Sequence, residues 1–430
     1  MTTIAAPPAA ARQTPAAHAK RALLARHQIV APSLKVADAA AASVFGAVRQ
    51  RGPIARDAIA RVTGLSIATV NRQVTALLEV GVLRERADLA VSGAIGRPRV
   101  PVEVNHEPFL TLGLHIGAKT TSIVATDLFG RTLDVVETPT PRGPQGAALA
   151  ALAGSARRYL SRWHRRRPLW VGVAAGGVVD STSGYLDHAR LGWTQAPVGP
   201  VLAETLGLPV SVASHVDAMA GAELLLGGRR PGAQAGTSLY VYARETVGYA
   251  LSIGGRVHSP SSGPGTIAAL PASSELLGGT GKLESTVSDE AVLNAARDQR
   301  IVPAEGPAST LPAVLRAARG GHEGAHALLA ERARVLGEAV ALLRDMLNPD
   351  DLVVGGQAFT EYPEGMESLE RAFAARTVLG PRDIRVTAFG NRVQEAGAGV
   401  VSLGGLYADP IAAMRRAQLR RGEVGVLGAS

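Results

Sequence analysis

Apolar residues near the front of the chain recur every three or four positions; further on they alternate or run together. Within 37–50, Ala40, Val44, Ala47 and Val48 share one helical face. Gly52-Pro53 stops that helix and suits the start of another. A second short helix is predicted over 55–62, then a turn at Thr63-Gly64-Leu65, then a third helix capped by Ser66 and ending near Gly81. Residues 82–104 alternate irregularly around Gly93 and Gly96-Arg97-Pro98-Arg99, the pattern of a β-hairpin with a basic tip. Beyond this, 109–117, 121–127 and 132–138 read as a three-stranded meander, 145–165 as a helix and 169–174 as a buried strand. A strand at 209–213 precedes an Ala-rich helix at 217–226. Strands restart at 239–242 and 247–253, followed by helices at 288–300, 311–319 and 322–347 and a strand at 352–354. A meander followed by helices therefore occurs twice, which suggests a duplicated α/β lobe. Residues 1–35, rich in Ala and Pro, read as a disordered or partly helical basic tail.

The stretch 56–74 has the spacing of a helix-turn-helix. Ala60 is small where two helices must approach, and Gly64 stands in the turn, where a positive φ is readily adopted. Val70 falls where the third helix buries a side chain against the second, with Ile59, Leu65, Val74, Leu77 and Leu78 completing a core. The outward face of the third helix then carries Thr69, Asn71, Arg72 and Thr75, side chains that reach base edges and phosphates in a major groove. Ser66 stands at the helix N-terminus, where a phosphate is favoured. Arg97 and Arg99, in an extended Arg-Pro-Arg segment, are narrow enough to enter a minor groove.

Composition sharpens the picture. A chain of 430 residues is expected to hold two or three domains. At 46% hydrophobic it can bury sizeable cores. No apolar run is long enough for a membrane span and no secretion signal is recognised, so a cytoplasmic protein is expected. There is no cysteine, which excludes disulfides, thiol catalysis and cysteine-bound zinc. Residues 1–105 hold 14 Lys+Arg against 6 Asp+Glu, while the other 325 hold 31 against 30. Almost all of the net +9 is therefore in the first quarter, a basic head on a neutral body, as expected of a polyanion-binding module.

From 37 to 405 the chain resembles the ROK family, which groups sugar-responsive bacterial repressors with sugar kinases. The resemblance rests on Gly113-Leu114-His115-Ile116-Gly117; on the run from Gly172 through Gly176-Gly177 to Asp180; on Leu206-Gly207-Leu208-Pro209-Val210 leading to Ala222-Glu223; on Gly254-Gly255-Arg256-Val257; and on Leu347-Asn348-Pro349 through Gly355-Gly356. It implies a two-lobed, actin-like body, with a winged head of the repressor branch. The departures concern chemistry. His115 stands where family kinases carry an acidic residue, and Lys119 where they carry a hydroxyl. Ser214 and His215 occupy the Asn-Asp pair that holds the catalytic carboxylate; Asp217 is two residues too late if the helix has begun. Thr266 and Ala269 replace the sugar-holding Glu and His. Glu275, Leu277 and Lys282 fall where the family's zinc loop carries cysteines.

The expectation is an α/β protein: a winged helix-turn-helix at 36–104, a first actin-like (RNase H-like) lobe at 106–230, a second at 231–405, and a C-terminal helix and tail at 406–430. It would act as a transcriptional regulator, commonly a repressor. Its partners would be a double-stranded DNA operator, a second copy of itself and a small sugar-like effector, with no membrane. His188, His215, Asp217 and Glu223 are the candidates to line an effector cleft. No catalytic residue, metal or cofactor is expected. The alternative is an active sugar or amino-sugar kinase with a DNA-binding head, using Asp217 as base; a third reading is a ligand-free architectural DNA binder.

Overall fold

A computed structural model of the chain describes residues 28–90, 100–228, 236–260, 262–380 and 382–427, with side chains up to 418. Arg97 and Arg99, and most of the expected basic tail, lie outside the described residues.

The head comprises α1 (Ala40–Arg51), α2 (Arg56–Thr63), α3 (Ile67–Glu79), β1 (Leu83–Glu85) and β2 (Val102–Val104). The two strands pair antiparallel, and Ile54 bridges to Val102, so a small sheet closes the three helices. Phe45, Ile59, Val70, Val74 and Leu77 are fully buried between them.

In the first lobe, β3 (Phe109–Ile116), β4 (Thr120–Thr126) and β5 (Thr132–Pro139) form the expected meander. Helix α4 (Gln145–Ser161) leads to β6 (Arg167–Ala175), which lies parallel to β3. A small sheet of β7 (Val178–Asp180), β8 (Tyr185–His188) and β9 (Trp193–Ala196) follows. Then come α5 (Val198–Leu206), β10 (Val210–Ser214) and α6 (His215–Leu225). The main sheet runs β10-β6-β3-β4-β5.

The second lobe repeats the plan. β11 (Thr237–Ala243), β12 (Val247–Ile253) and β13 (Arg256–His258) form its meander, with β14 (Gly265–Thr266) on β12. Helices α7 (Leu283–Val287), α8 (Asp289–Asp298), α9 (Leu311–Arg319) and α10 (Glu323–Leu347) precede β15 (Asp351–Gly355). Then come α11 (Gln357–Thr360), α12 (Met366–Arg376) and β16 (Ile384–Val386). The order β13-β12-β11-β15-β16 matches that of the first lobe strand for strand. This is the duplicated actin-like architecture. No helix among the described residues is long and apolar enough to cross a membrane.

Three expectations are corrected. Helix α6 begins at His215, not 217, because Ser214 caps it by accepting from the Asp217 amide. The boundary at 405/406 falls inside α13 (Val393–Ala408), and that helix packs on the first lobe although it follows the second. Its small residues allow this: a Cβ on Gly172 of β6 would stand 2.2 Å from the Ser402 amide, and one on Gly113 of β3 2.8 Å from the Ala398 carbonyl carbon. Finally, 28–35 is not a free tail. The segment bonds to Val210 of β10: Val30 N–H donates to Val210 O, and Val210 N–H donates to Gln28 O. Four residues on, Val257 donates to Leu34 O and Val36 donates to Gly255 O. Leu34 is buried, its side chain against Gly221 of α6, and the Ser33 backbone sits against Gly404 of α13. The segment is a strap across both lobes that leads straight into α1.

The head is likewise fused to the body. Phe45 and Arg49 of α1 pack on Tyr407 of α13, with the guanidinium 4.2 Å from the ring centre. Helix α14 (Pro410–Leu427) buries Met414, and Gln418 donates to Val80 O. Arg166 and Arg167, part of an arginine run, donate to carbonyls of His106, Phe109 and Ala417 and so tie the link between head and body, and α14, to the start of β6.

Candidate DNA interface and interlobe cleft

In the head, Gly64 caps α2 at φ +70°, the left-handed geometry the turn needs. Ser66 then opens α3: its Oγ accepts from the Thr69 amide at 3.2 Å and its hydroxyl donates to Thr69 Oγ1 at 3.0 Å. The hydroxyl is therefore spent within the cap, and the backbone amides of Ile67 and Ala68 at the helix start have no partner within the helix. Asn71, Arg72 and Thr75 are exposed and Thr69 is half-buried, all on the side of α3 away from Val70, Val74 and Leu77. Sequence reasoning passed over Ile67, the first residue of α3, which is 50% exposed. Several head cations are already engaged. Arg84 pairs with Glu103 and Glu107, and Arg86 with Glu103 and Asp88, all within 2.8 Å. Arg72 has no ion pair among the described residues.

Between the lobes lies a cavity of about 510 Å³, well within the size range of small-molecule sites. His115 from the end of β3, His188 from the end of β8 and His215 from the start of α6 line its first-lobe wall. His115 and His215 stack face to face with ring centres 6.0 Å apart, and His215 leans on Tyr242 at 5.1 Å. Burial pushes all three imidazoles below their usual value; neighbouring imidazoles add to this for His115 and His215, and the Arg190 charge for His188. His115 falls well below it, and His215 is lowered to about 4. His115 Nε2 and His188 Nδ1 are buried with no hydrogen-bond partner. The second lobe contributes Tyr242 and Arg244, and Gln394 of α13 joins them through bonds of 2.9 and 3.0 Å. Lys119 and Arg190 cross the mouth to Glu245 and Glu284.

Of the four candidate cleft residues, the structure brings together two. His188 and His215 share the cavity, joined by His115, which the sequence marked only as a missing acid. Asp217 faces a second cavity of about 630 Å³ with Asp180, Tyr185 and Ser259. Burial raises its carboxyl above the usual range, opposed by hydroxyls of Ser259 and Ser214. Glu223 lines neither cavity. It accepts from the Thr387 hydroxyl and from the Ala388 amide, and stands 4.0 Å from Arg385, so it joins α6 to β16.

At the zinc-loop positions, Glu275 and Lys282 are exposed while Leu277 is buried in the helical core of α8–α10. Ser274 and Ser285 hold the loop by accepting from Leu277 and Thr280 amides. No group of His, Asp and Glu among the described residues is placed to hold a metal ion.

A winged helix-turn-helix fused to a duplicated, kinase-like body is the build of a DNA-binding transcriptional regulator. The chain belongs to the ROK family, whose model matches residues 111–402. It is 72% identical over 404 residues to a transcriptional regulator of Mycobacterium tuberculosis, covering 92% of each chain. It is 25% identical over 333 residues to the DNA-binding transcriptional dual regulator NagC of Escherichia coli K12, covering 74% of this chain and 80% of NagC. The crystal structure of a ROK family transcriptional regulator homologous to E. coli MLC superposes with a TM-score of 0.72 at 21% identity, over 88% of this chain and 98% of that one.

Proposed function

We propose that this chain is a cytoplasmic, homodimeric repressor that grips operator half-sites through α3 and senses a small, sugar-like ligand in the interlobe cleft. The observation that carries the reading is the exposed polar face of α3 on a head whose core is continuous with the body. A two-fold dimer would set two such helices on half-sites one or more turns apart. A ligand shifts the arrangement only through its preference for one lobe separation. The strap, α13 and α14 are the elements that touch both lobes or both body and head, and they support that route.

Phosphoryl transfer is not part of this reading. It needs a carboxylate beside the sugar hydroxyl. His215 opens α6 into the 510 Å³ cavity, whereas Asp217 lines the other one. Two helical steps turn a side chain by roughly 200°.

Gel shifts of the full chain on its own promoter region test the proposal. We expect specific retention at physiological salt, weakened about tenfold or more by Arg72→Ala. Equal affinity for random duplex would defeat it. ADP release with a panel of hexoses, abolished by Asp217→Asn, would establish the kinase instead.

A further inference from the structure

The first position of α3 is occupied by a half-exposed isoleucine, although the rest of that helix face, the small Ala68 apart, is polar. Ile67 is 50% exposed. Its successors on the same stripe are Asn71, four residues on, and Thr75, eight residues on, with Arg72 beside them. One large aliphatic and a neighbouring alanine among polar groups do not make an apolar patch of the kind that docks a protein. It does match the single apolar feature of a major groove, the thymine 5-methyl group. The placement fits as well. N-terminal residues of a recognition helix approach base edges most closely. The Ser66 cap fixes the first turn, so Ile67 projects from a backbone that is already ordered.

We propose that Ile67 is a specificity-determining residue that reads a thymine methyl in each operator half-site. The inference rests on the DNA-binding reading above. Asn71 is suited to an adenine through paired bonds to its N6 and N7. Four helical residues span about 6 Å, and base pairs are spaced about 3.4 Å. The thymine read by Ile67 therefore lies one or two base pairs from the adenine read by Asn71. Burying one methyl group is worth about fourfold in affinity.

The test is selection from a pool of random-sequence duplexes with the full chain, followed by binding to the enriched site with deoxyuridine in place of each thymine. That replacement removes the 5-methyl group alone. At one thymine per half-site, we expect deoxyuridine to weaken the wild-type protein about fourfold per methyl and to leave Ile67→Ala unchanged within twofold. Ile67→Ala should melt with the wild type, because the side chain is not part of the core. If an enriched site shows no deoxyuridine effect, or an equal one in Ile67→Ala, the role of Ile67 is refuted while DNA binding stands. If no sequence is enriched at all, the DNA-binding reading beneath it fails.

Discussion

His115, His188 and His215 are three bases kept uncharged by burial in one cavity wall. The unfolded chain would protonate them near pH 6.5, the folded chain only lower, so the unfolded state binds more protons between those limits. Stability is therefore full above about pH 6.5 and declines as the pH falls toward the folded value, near 4 for His215. For that residue alone the linked loss is on the order of 3 kcal/mol. Asp217 and Glu223, whose carboxyls are raised by burial, act in the opposite sense, gaining stability on acidification. The informative measurement is thus a difference: unfolding free energy against pH for wild type and His215→Gln. We expect the wild-type curve to fall more steeply between pH 6.5 and 5, and parallel curves would show that His215 is not held neutral. The sequence showed His115 and His215 as departures from a kinase pattern. It could not show that the two rings stack, because that depends on the end of β3 meeting the start of α6 across a hundred residues.

Helix α13 lies in close backbone contact with the first-lobe sheet. Gly172 meets Ser402 with no room for a methyl group, and the obstructing atoms are backbone, which cannot rotate away. Gly172→Ala should cost more than about 3 kcal/mol. Gly64→Ala should cost only about 1–2 kcal/mol, because that site is open and the penalty is the positive φ alone. Denaturant midpoints of the two variants check the ranking, and a Gly172→Ala protein as stable as Gly64→Ala would contradict it. At this scale the sequence was largely legible. The helix at 311–319 and the strand at 247–253 coincide with α9 and β12, since their periodicity is a local property. The start of α6 was misread by two residues because the capping role of Ser214 competes with its place at the end of β10. The home of α13 was misread because a helix of small residues shows how closely it can pack, not which sheet receives it.

The whole molecule is joined by a segment whose composition gave it the look of a tail. Residues 28–36 bond to β10 of one lobe and to the β12–β13 turn region of the other before entering α1. What holds them is non-local: a pocket for Leu34 over Gly221, and the bare backbone of Gly404 beneath Ser33. Neither is visible in an Ala- and Pro-rich stretch read by itself. If the strap couples the lobes to the head, loosening it should change DNA binding without touching α3. Gly404→Val would drive a side chain into the Ser33 carbonyl, 2.4 Å from the position of a Cβ. The expected result is faster amide exchange over 28–36 and α1, and a several-fold loss of operator affinity. Leu34→Ala should act in the same direction by emptying a buried site, at about 2–5 kcal/mol where unfolding is cooperative. Arg49→Met supplies the comparison, since it removes the guanidinium's contacts with Tyr407 and the Leu225 carbonyl and leaves the strap seated. Loss of affinity in both classes of variant, with faster strap exchange only in the first, is the pattern of a head held by two separate attachments. Full affinity in Gly404→Val despite a loosened strap would make the strap a structural brace that plays no part in coupling.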